Sequence, residues 1–333
     1  MTLLTPAYRL TFGSRVIDTT NEPRASTLVD LTVALDLDAP ADAATLVLGQ
    51  VGTFRPTRGD ETTIELGYLG ETPEVETVLT GSVTHVEPGL TTFRVHVAGA
   101  ADPLLGLHVN EHFEAKTAGA IVRDLAGRAG VAVGEVEDGT LFPAYVVDAR
   151  RAAAHHLRDL AELSGLDLWA DPQGRLTMRM WLGGRTTHVL EHGRDLLEAE
   201  VLATPLRAGR VEAWGESPTG AEGSDAWGWL TPDFQGSRGG AGEGTLRLLE
   251  RPALRTRDAA RTAADAALAD AKRRAHRGRV RITGRAAVRL GDAIRLAEMP
   301  DPALNQRWQV RSVVHRLTKS GGFTTAIGFR ADE

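Results

Sequence analysis

The chain has 333 residues, 42% of them hydrophobic, enough for two or three domains with a sizeable core. A net charge of −6 and a pI near 6.0 disfavour a dedicated nucleic-acid binder, which needs a clustered basic surface. The lack of cysteine excludes disulfide staples and thiolate chemistry, and no stretch is apolar for long enough to span a bilayer.

The opening residues MTLLTPAYRLTFGSRVID show no basic segment followed by a long apolar run, so a soluble product, cytoplasmic when made, is expected. Residues 26–36 alternate, with Val29, Leu31, Val33 and Leu35 on one face, and predict a half-buried strand. Strand patterns follow at 62–69, 77–87 and 91–99, separated by turn residues such as Pro88-Gly89. Short strands this close together predict an antiparallel sandwich or barrel over residues 1–107.

The texture changes at residue 108. Ala118, Ile121, Val122 and Leu125 have helical spacing, with Thr117 as the N-cap and Gly130 as the stop. After a short strand at 131–133, residues 152–165 repeat the design and stop at Gly165. The segment 166–181 reads as a hairpin around Asp171-Pro172-Gln173-Gly174. Residues 108–182 thus predict an α/β module with two helix–strand units.

Strand patterns return at 188–192 and 209–215, then residues 215–244 read as a long Gly-rich loop. An Ala/Arg-rich helix is predicted over 255–277, with small side chains suited to lying close on a sheet. Its basic end complements the helix dipole, and its remaining charges predict a solvated face. Strands at 279–287, 291–298, 308–317 and 323–329 complete a second β-rich region, 183–333.

Two stretches match. Ser-Val-x-His occurs at 82–85 and again at 312–315, each followed by a turn and a Thr-Thr pair. Each is preceded by Gly-Asp at a strand entry, Gly59-Asp60 and Gly291-Asp292. In that setting Gly can take a positive φ and Asp can cap a free amide. The pattern predicts two copies of one β unit flanking the module.

The candidates for chemistry have structural readings beside them. His85 and His315 are expected to be strand histidines with satisfied hydrogen bonds, since nothing nearby supplies a catalytic partner. His155, Asp159 and Glu162 lie along one helix face beside His156, but Asp159 stands where a two-histidine zinc motif needs its second histidine. A solvated face with a His155–Asp159 contact is expected, opposite a core stripe of Leu157, Leu160, Ala161 and Ser164. Asp36, Asp38 and Asp42 lack the glycine and glutamate of a calcium loop and predict a turn. The glycines of 239–244 do not join a strand to a helix, as a phosphate cradle would require. Trp214, Trp227 and Trp229 can anchor an interface or fold back onto a barrel, and the sequence leaves both open. No residue is expected to be catalytic, cofactor-binding or metal-ligating.

This order of features resembles the phage late control protein D family and the VgrG-type base of contractile injection systems. The resemblance rests on FRPTRGDETTIELGYLG (54–70), on the two helix–strand units of 117–179, and on LGDAIRLAE with RWQVRSVVHRLTKSGGFTTAIGF (290–329). It implies a mainly β fold with an α/β insert: two similar tube-like β-barrel domains and a trimeric ring. It also implies a non-enzymatic baseplate hub, a symmetry adaptor between a hexameric tail tube and a trimeric spike. The partners implied are two further copies, the tail tube protein, the spike and other baseplate proteins, with no nucleic acid and no membrane. The protein would then be built into the baseplate of a phage tail or injection particle. VgrG-type chains continue into a neck and spike; this one ends at Glu333, so a separate spike protein is expected. The rival readings are a β-rich metal-dependent hydrolase built on His155, Asp159 and Glu162 or on His315, and a carbohydrate- or receptor-binding tail protein using Trp227 and Trp229.

Overall fold

Alternating side chains build the first third of the chain. The computed structural model describes residues 4–21, 27–39, 41–50, 54–70, 74–215 and 238–332. Seven strands come first: β1 (Thr5–Phe12), β2 (Arg15–Asp18), β3 (Leu28–Asp36), β4 (Ala43–Gly49), β5 (Glu61–Leu69), β6 (Glu74–Pro88) and β7 (Thr92–Gly99). In β3, Leu31, Val33 and Leu35 are buried as expected, but Val29 is not. A register shift against β4 between Leu28 and Asp30 moves the period by one residue. Leu28 takes the inner position, and Val29 is left 37% exposed.

The middle of the chain contains α1 (Pro103–Gly106), β8 (Glu111–Thr117), α2 (Ala118–Arg128), β9 (Val133–Val136), β10 (Leu141–Val147), α3 (Ala153–Ser164), β11 (Asp167–Ala170) and β12 (Leu176–Arg179). Thr117 caps α2 as its position predicts, its Oγ1 accepting from Ala120 N at 3.2 Å. The hairpin of β11 and β12 turns at Asp171–Gly174, where Gly174 N donates to Asp171 O at 2.8 Å. The β8–β10 pair carries no clean alternation in sequence, so no local pattern announces it.

The last part comprises β13 (Thr187–Glu191), β14 (Leu196–Ala203), β15 (Arg210–Trp214), β16 (Arg238–Gly242), β17 (Leu246–Glu250), α4 (Arg257–Ala275), β18 (His276–Thr283), β19 (Ala293–Ala297), β20 (Arg307–Thr318) and β21 (Gly322–Ala331). Residues 238–242, expected to lie in a loop, form β16 instead. Glycine weakens strand propensity, but here it is required by packing. A Cβ on Gly239 would lie 2.1 Å from Arg261 N in α4, whose Ala259, Ala260, Ala263 and Ala264 are buried. Gly239→Ala is therefore expected to cost about 1–3 kcal/mol of stability, measured by urea unfolding.

Thirteen strands share one sheet, and the protein is mainly β. Its path runs β2-β1-β5-β6-β7-β4-β3 and continues through β20-β21-β18-β14, with β19 and β13 branching from β20. The halves meet where β3 pairs β20 antiparallel, from Asp36 opposite Ser312 to Asp30 opposite Thr318. The end strands β2 and β14 do not pair, so the described residues form no closed barrel. One core serves both halves, with Leu10, Ile64 and Val95 in the same cluster as Val280, Trp308 and Ile327. A second core joins α2 and α3 to β15 and α4, so the Ala/Arg helix packs with the module.

Candidate functional site

The two Gly-Asp turns are built alike. In the first, Thr57 N donates to Asp60 Oδ2 (2.8 Å) and Asp60 N donates to Thr57 O (3.1 Å). In the second, Arg289 N donates to Asp292 Oδ2 (3.0 Å) and Asp292 N donates to Arg289 O (3.3 Å). Gly59 and Gly291 have φ of +93° and +81°, which side chains with a Cβ resist. The next strand then returns to each aspartate: Val83 N donates to Asp60 O (2.9 Å), and Val310 N donates to Asp292 O (3.0 Å). Each hairpin has a register shift just after that valine, between Val83 and His85 and between Val310 and Ser312.

This shared frame equates Val83 with Val310, and hence His85 with Ser312. The Ser-Val-x-His match runs three residues out of that register, so the two histidines are not equivalent. His85 is exposed, its ring 6.0 Å from that of His96. His315 is fully buried, with Nδ1 3.0 Å from Thr325 Oγ1 and its ring 5.9 Å from that of Phe323. The strand position and the hydrogen bond are as expected, while Nε2 has no partner among the described residues.

Burial pushes the His315 imidazole down to about 4 from an ordinary value of 6.5. The unfolded chain therefore takes up this proton first, and stability falls as pH drops from 6.5 to about 4. The loss from this group is up to about 3 kcal/mol, and His315→Leu should lack it. Urea unfolding at pH 7 and pH 4.5 checks this; an identical acid loss in the variant contradicts it.

On helix α3, His155, Asp159 and Glu162 keep one face, but they do not converge on a common point. Asp159 pairs with Arg151 at 2.6 Å, replacing the expected contact with His155. The arginine lies just before the helix start and reaches a carboxylate about two turns further on. His156 points inward instead, its Nε2 3.2 Å from Asp148 O and its Nδ1 3.4 Å from Tyr145 OH. Leu157, Leu160, Ala161 and Ser164 are buried as the spacing predicts. Among the described residues, no three His, Asp or Glu side chains gather as metal ligands would.

The aspartates of the 36–42 segment also diverge. They occupy the expected turn between β3 and β4, where Asp38 N donates to Asp36 Oδ1 (2.7 Å) and Asp36 N donates to Asp42 Oδ1 (3.0 Å). Burial, with Asp36 nearby, pushes the Asp42 carboxyl up to about 7. Asp38 reaches across to Arg311 at 2.6 Å.

That contact opens onto the principal polar junction of the molecule, which was not legible from the sequence. Arg311 holds Asp38 and Asp167, both at 2.6 Å. Gln309 Nε2 donates to Asp167 Oδ2 at 2.6 Å, and Gln309 Oε1 accepts from Arg330 Nε at 2.6 Å. Arg330 also contacts Asp167 at 3.5 Å and pairs with Asp270 of α4. The first half, the module, α4 and the second half all send a side chain here. Burial raises the Asp167 carboxyl, but the Arg311 and Arg330 guanidiniums outweigh it and hold it below the ordinary range. Burial and then Arg311 bring Arg330 down to about 10, still protonated near neutrality. Arg330 shifts the opposite way from Arg311: at Arg330 burial and the neighbouring Arg311 charge prevail over Asp167 and Asp270, whereas at Arg311 the carboxylates of Asp167 and Asp38 prevail over burial.

The basic end of α4 is thus not a plain solvated face, since Arg274 pairs with Asp270 at 2.7 Å and faces Asp38 at 3.8 Å. Trp214 lies in β15 beneath the Arg238 guanidinium, 5.7 Å from its ring centre. Trp227 and Trp229 lie outside the described residues. In the second Gly-Asp turn, His188 Nε2 sits 3.0 Å from Asp292 Oδ2, where the first turn uses Thr57 Oγ1. No described helix is long and apolar enough to cross a membrane.

No family model matches the chain, and no curated protein matches it in sequence. Solved structures do match its fold. A 43 kDa tail protein of prophage MuSo2 from Shewanella oneidensis aligns with a TM-score of 0.72 and 14% identity, over 98% of this chain and 99% of that one. A tail protein from Neisseria meningitidis aligns with a TM-score of 0.72 and 13% identity, over 98% and 97%. A type VI secretion component from E. coli, described as structurally similar to T4 tail proteins gp27 and gp5, aligns at 0.62 and 8%, over 96% and 76%. The fold is therefore the one found in phage tail proteins and in a type VI secretion component. The agreement runs along nearly the whole chain, including the module between the two β regions.

Proposed function

We propose that this protein is a structural baseplate hub of a contractile tail or injection system. In this reading it assembles as a trimer and adapts a hexameric tube to a three-fold spike carried by a separate protein. The observation that carries the proposal is the pair of congruent Gly-Asp hairpins, with the same turn bonds, the same return bond and the same register shift. Two similar units per chain give six similar positions in a trimer, which is the match a hexameric partner requires. The shared tail-protein fold supports the same reading.

The mechanism is mechanical. Strand units held in one sheet by β3 and β20 resist shear along a tube axis, and the charged junction fixes the module against them. The domain pattern is two β units, 1–107 and 183–333, around the 108–182 module. Co-expression with the tube and spike proteins of the same gene cluster tests the role. The expected result is a stable complex holding three copies of this chain; failure to bind either protein overturns it.

A further inference from the structure

Helices α3 and α4 and strand β17 line an open groove of about 360 Å³, with seven arginines and five carboxylates in its wall. Arg274, Arg311 and Arg330 find carboxylates inside it, in Asp38, Asp167 and Asp270. Arg158, Arg247, Arg251 and Arg273 have no carboxylate within ion-pair distance among the described residues. Arg158 and Arg251 donate to backbone carbonyls, and the Arg273 Nε is buried without an acceptor. Glu162, also without an ion-pair partner, offsets one of these four charges. The wall is thus left with surplus positive charge, and unpaired guanidiniums seek anionic oxygens.

The shape of the site narrows the ligand. The four cations are spread over α3, β17, the turn after it and the end of α4, so they do not converge on one point. β17 pairs only β15, and its outer edge has no strand partner among the described residues. Side chains alternate along it: Arg247 and Leu249 line the groove, while Leu246 (45% exposed) and Leu248 (56%) lie on the other face. A strand added at this edge would turn one side-chain set toward the arginines and the other toward the exposed leucines.

We propose that this groove binds an extended segment of a partner protein with alternating acidic and apolar residues, added as a strand along β17. Charge complementarity selects its acidic set, through Arg247, Arg251 and Arg273. The open strand edge explains why the ligand is a chain and not a small anion. This proposal stands apart from the hub assignment and needs neither a trimer nor a tube.

The test uses the full chain and a labelled (Glu-Val)4 peptide, followed by fluorescence anisotropy and amide hydrogen exchange. The expected result is saturable binding at least about tenfold tighter than for (Lys-Val)4. Slower exchange of the 246–250 amides should accompany it. Arg247→Glu and Arg251→Glu, each checked for native unfolding, should each weaken binding about tenfold, while Arg15→Glu on β2 should not. Equal binding of both peptides overturns the proposal. So does full displacement by inorganic phosphate without protection of 246–250, which would mark a simple anion site. Residues 216–237 contain four acidic residues and no Lys or Arg. If replacing them by Asn-Gly raises peptide affinity tenfold or more, the chain's own segment is the occupant and the partner assignment fails.

Discussion

Asp167→Ala is expected to lower the unfolding free energy by about 3–5 kcal/mol, one of the two largest single-residue effects in the molecule. The carboxylate is nearly buried and takes bonds from Arg311 and Gln309, with Arg330 close by. Removing it leaves two buried guanidiniums facing each other with less negative charge between them. That penalty, more than the lost attraction, sets the size of the effect. The sign of its pH dependence follows from the depressed carboxyl. The contribution of Asp167 is complete above its ordinary value of 3.8 and is lost as pH falls toward its lower folded value. Urea midpoints for wild type and variant should therefore differ widely at pH 7 and converge below pH 4. A difference independent of pH would contradict the assignment.

Trp308→Ala should cost a similar amount, about 3–5 kcal/mol, for a different reason. The indole is 1% exposed and lies 5.1 Å from the Phe329 ring, and its Nε1 donates to Leu304 O at 3.3 Å. It belongs to a core that includes Leu10 and Val95 from the other half of the chain. The cavity left behind should thus weaken both halves together. Tryptophan fluorescence and far-ultraviolet circular dichroism should move in one shifted transition. Two separated transitions would show that the halves are independent.

The legible parts of this fold are those where one face of an element is buried and the other is not. Strand β3 and helices α2 and α3 declare themselves by alternation or helical spacing. β16 did not, because its glycines are set by the close approach of α4, a contact with no local signal. β14 gives no pattern because its side chains are mostly exposed, which removes the alternation. The Gly-Asp turns were legible because their bonds are local. The Ser-Val-x-His letters run out of register, because identity of letters does not track the pairing frame that the Gly-Asp turn and its return bond set. The junction was hidden for a related reason. Gln309 and Arg311 sit in a central strand as isolated polar letters, and Asp167, Asp38 and Asp270 meet them only through the tertiary fold. Alternation reports that a side chain is buried, not which charge it will face.

The proposed hub requires two similar units per chain serving one ring. The mass of the purified full-length protein at micromolar concentration, by sedimentation or native mass spectrometry, tests that claim most directly. A species of three times the 35.7 kDa chain mass, able to take up the tube and spike proteins, is the predicted result. A monomer at every concentration, with no complex formed with either protein, would contradict it.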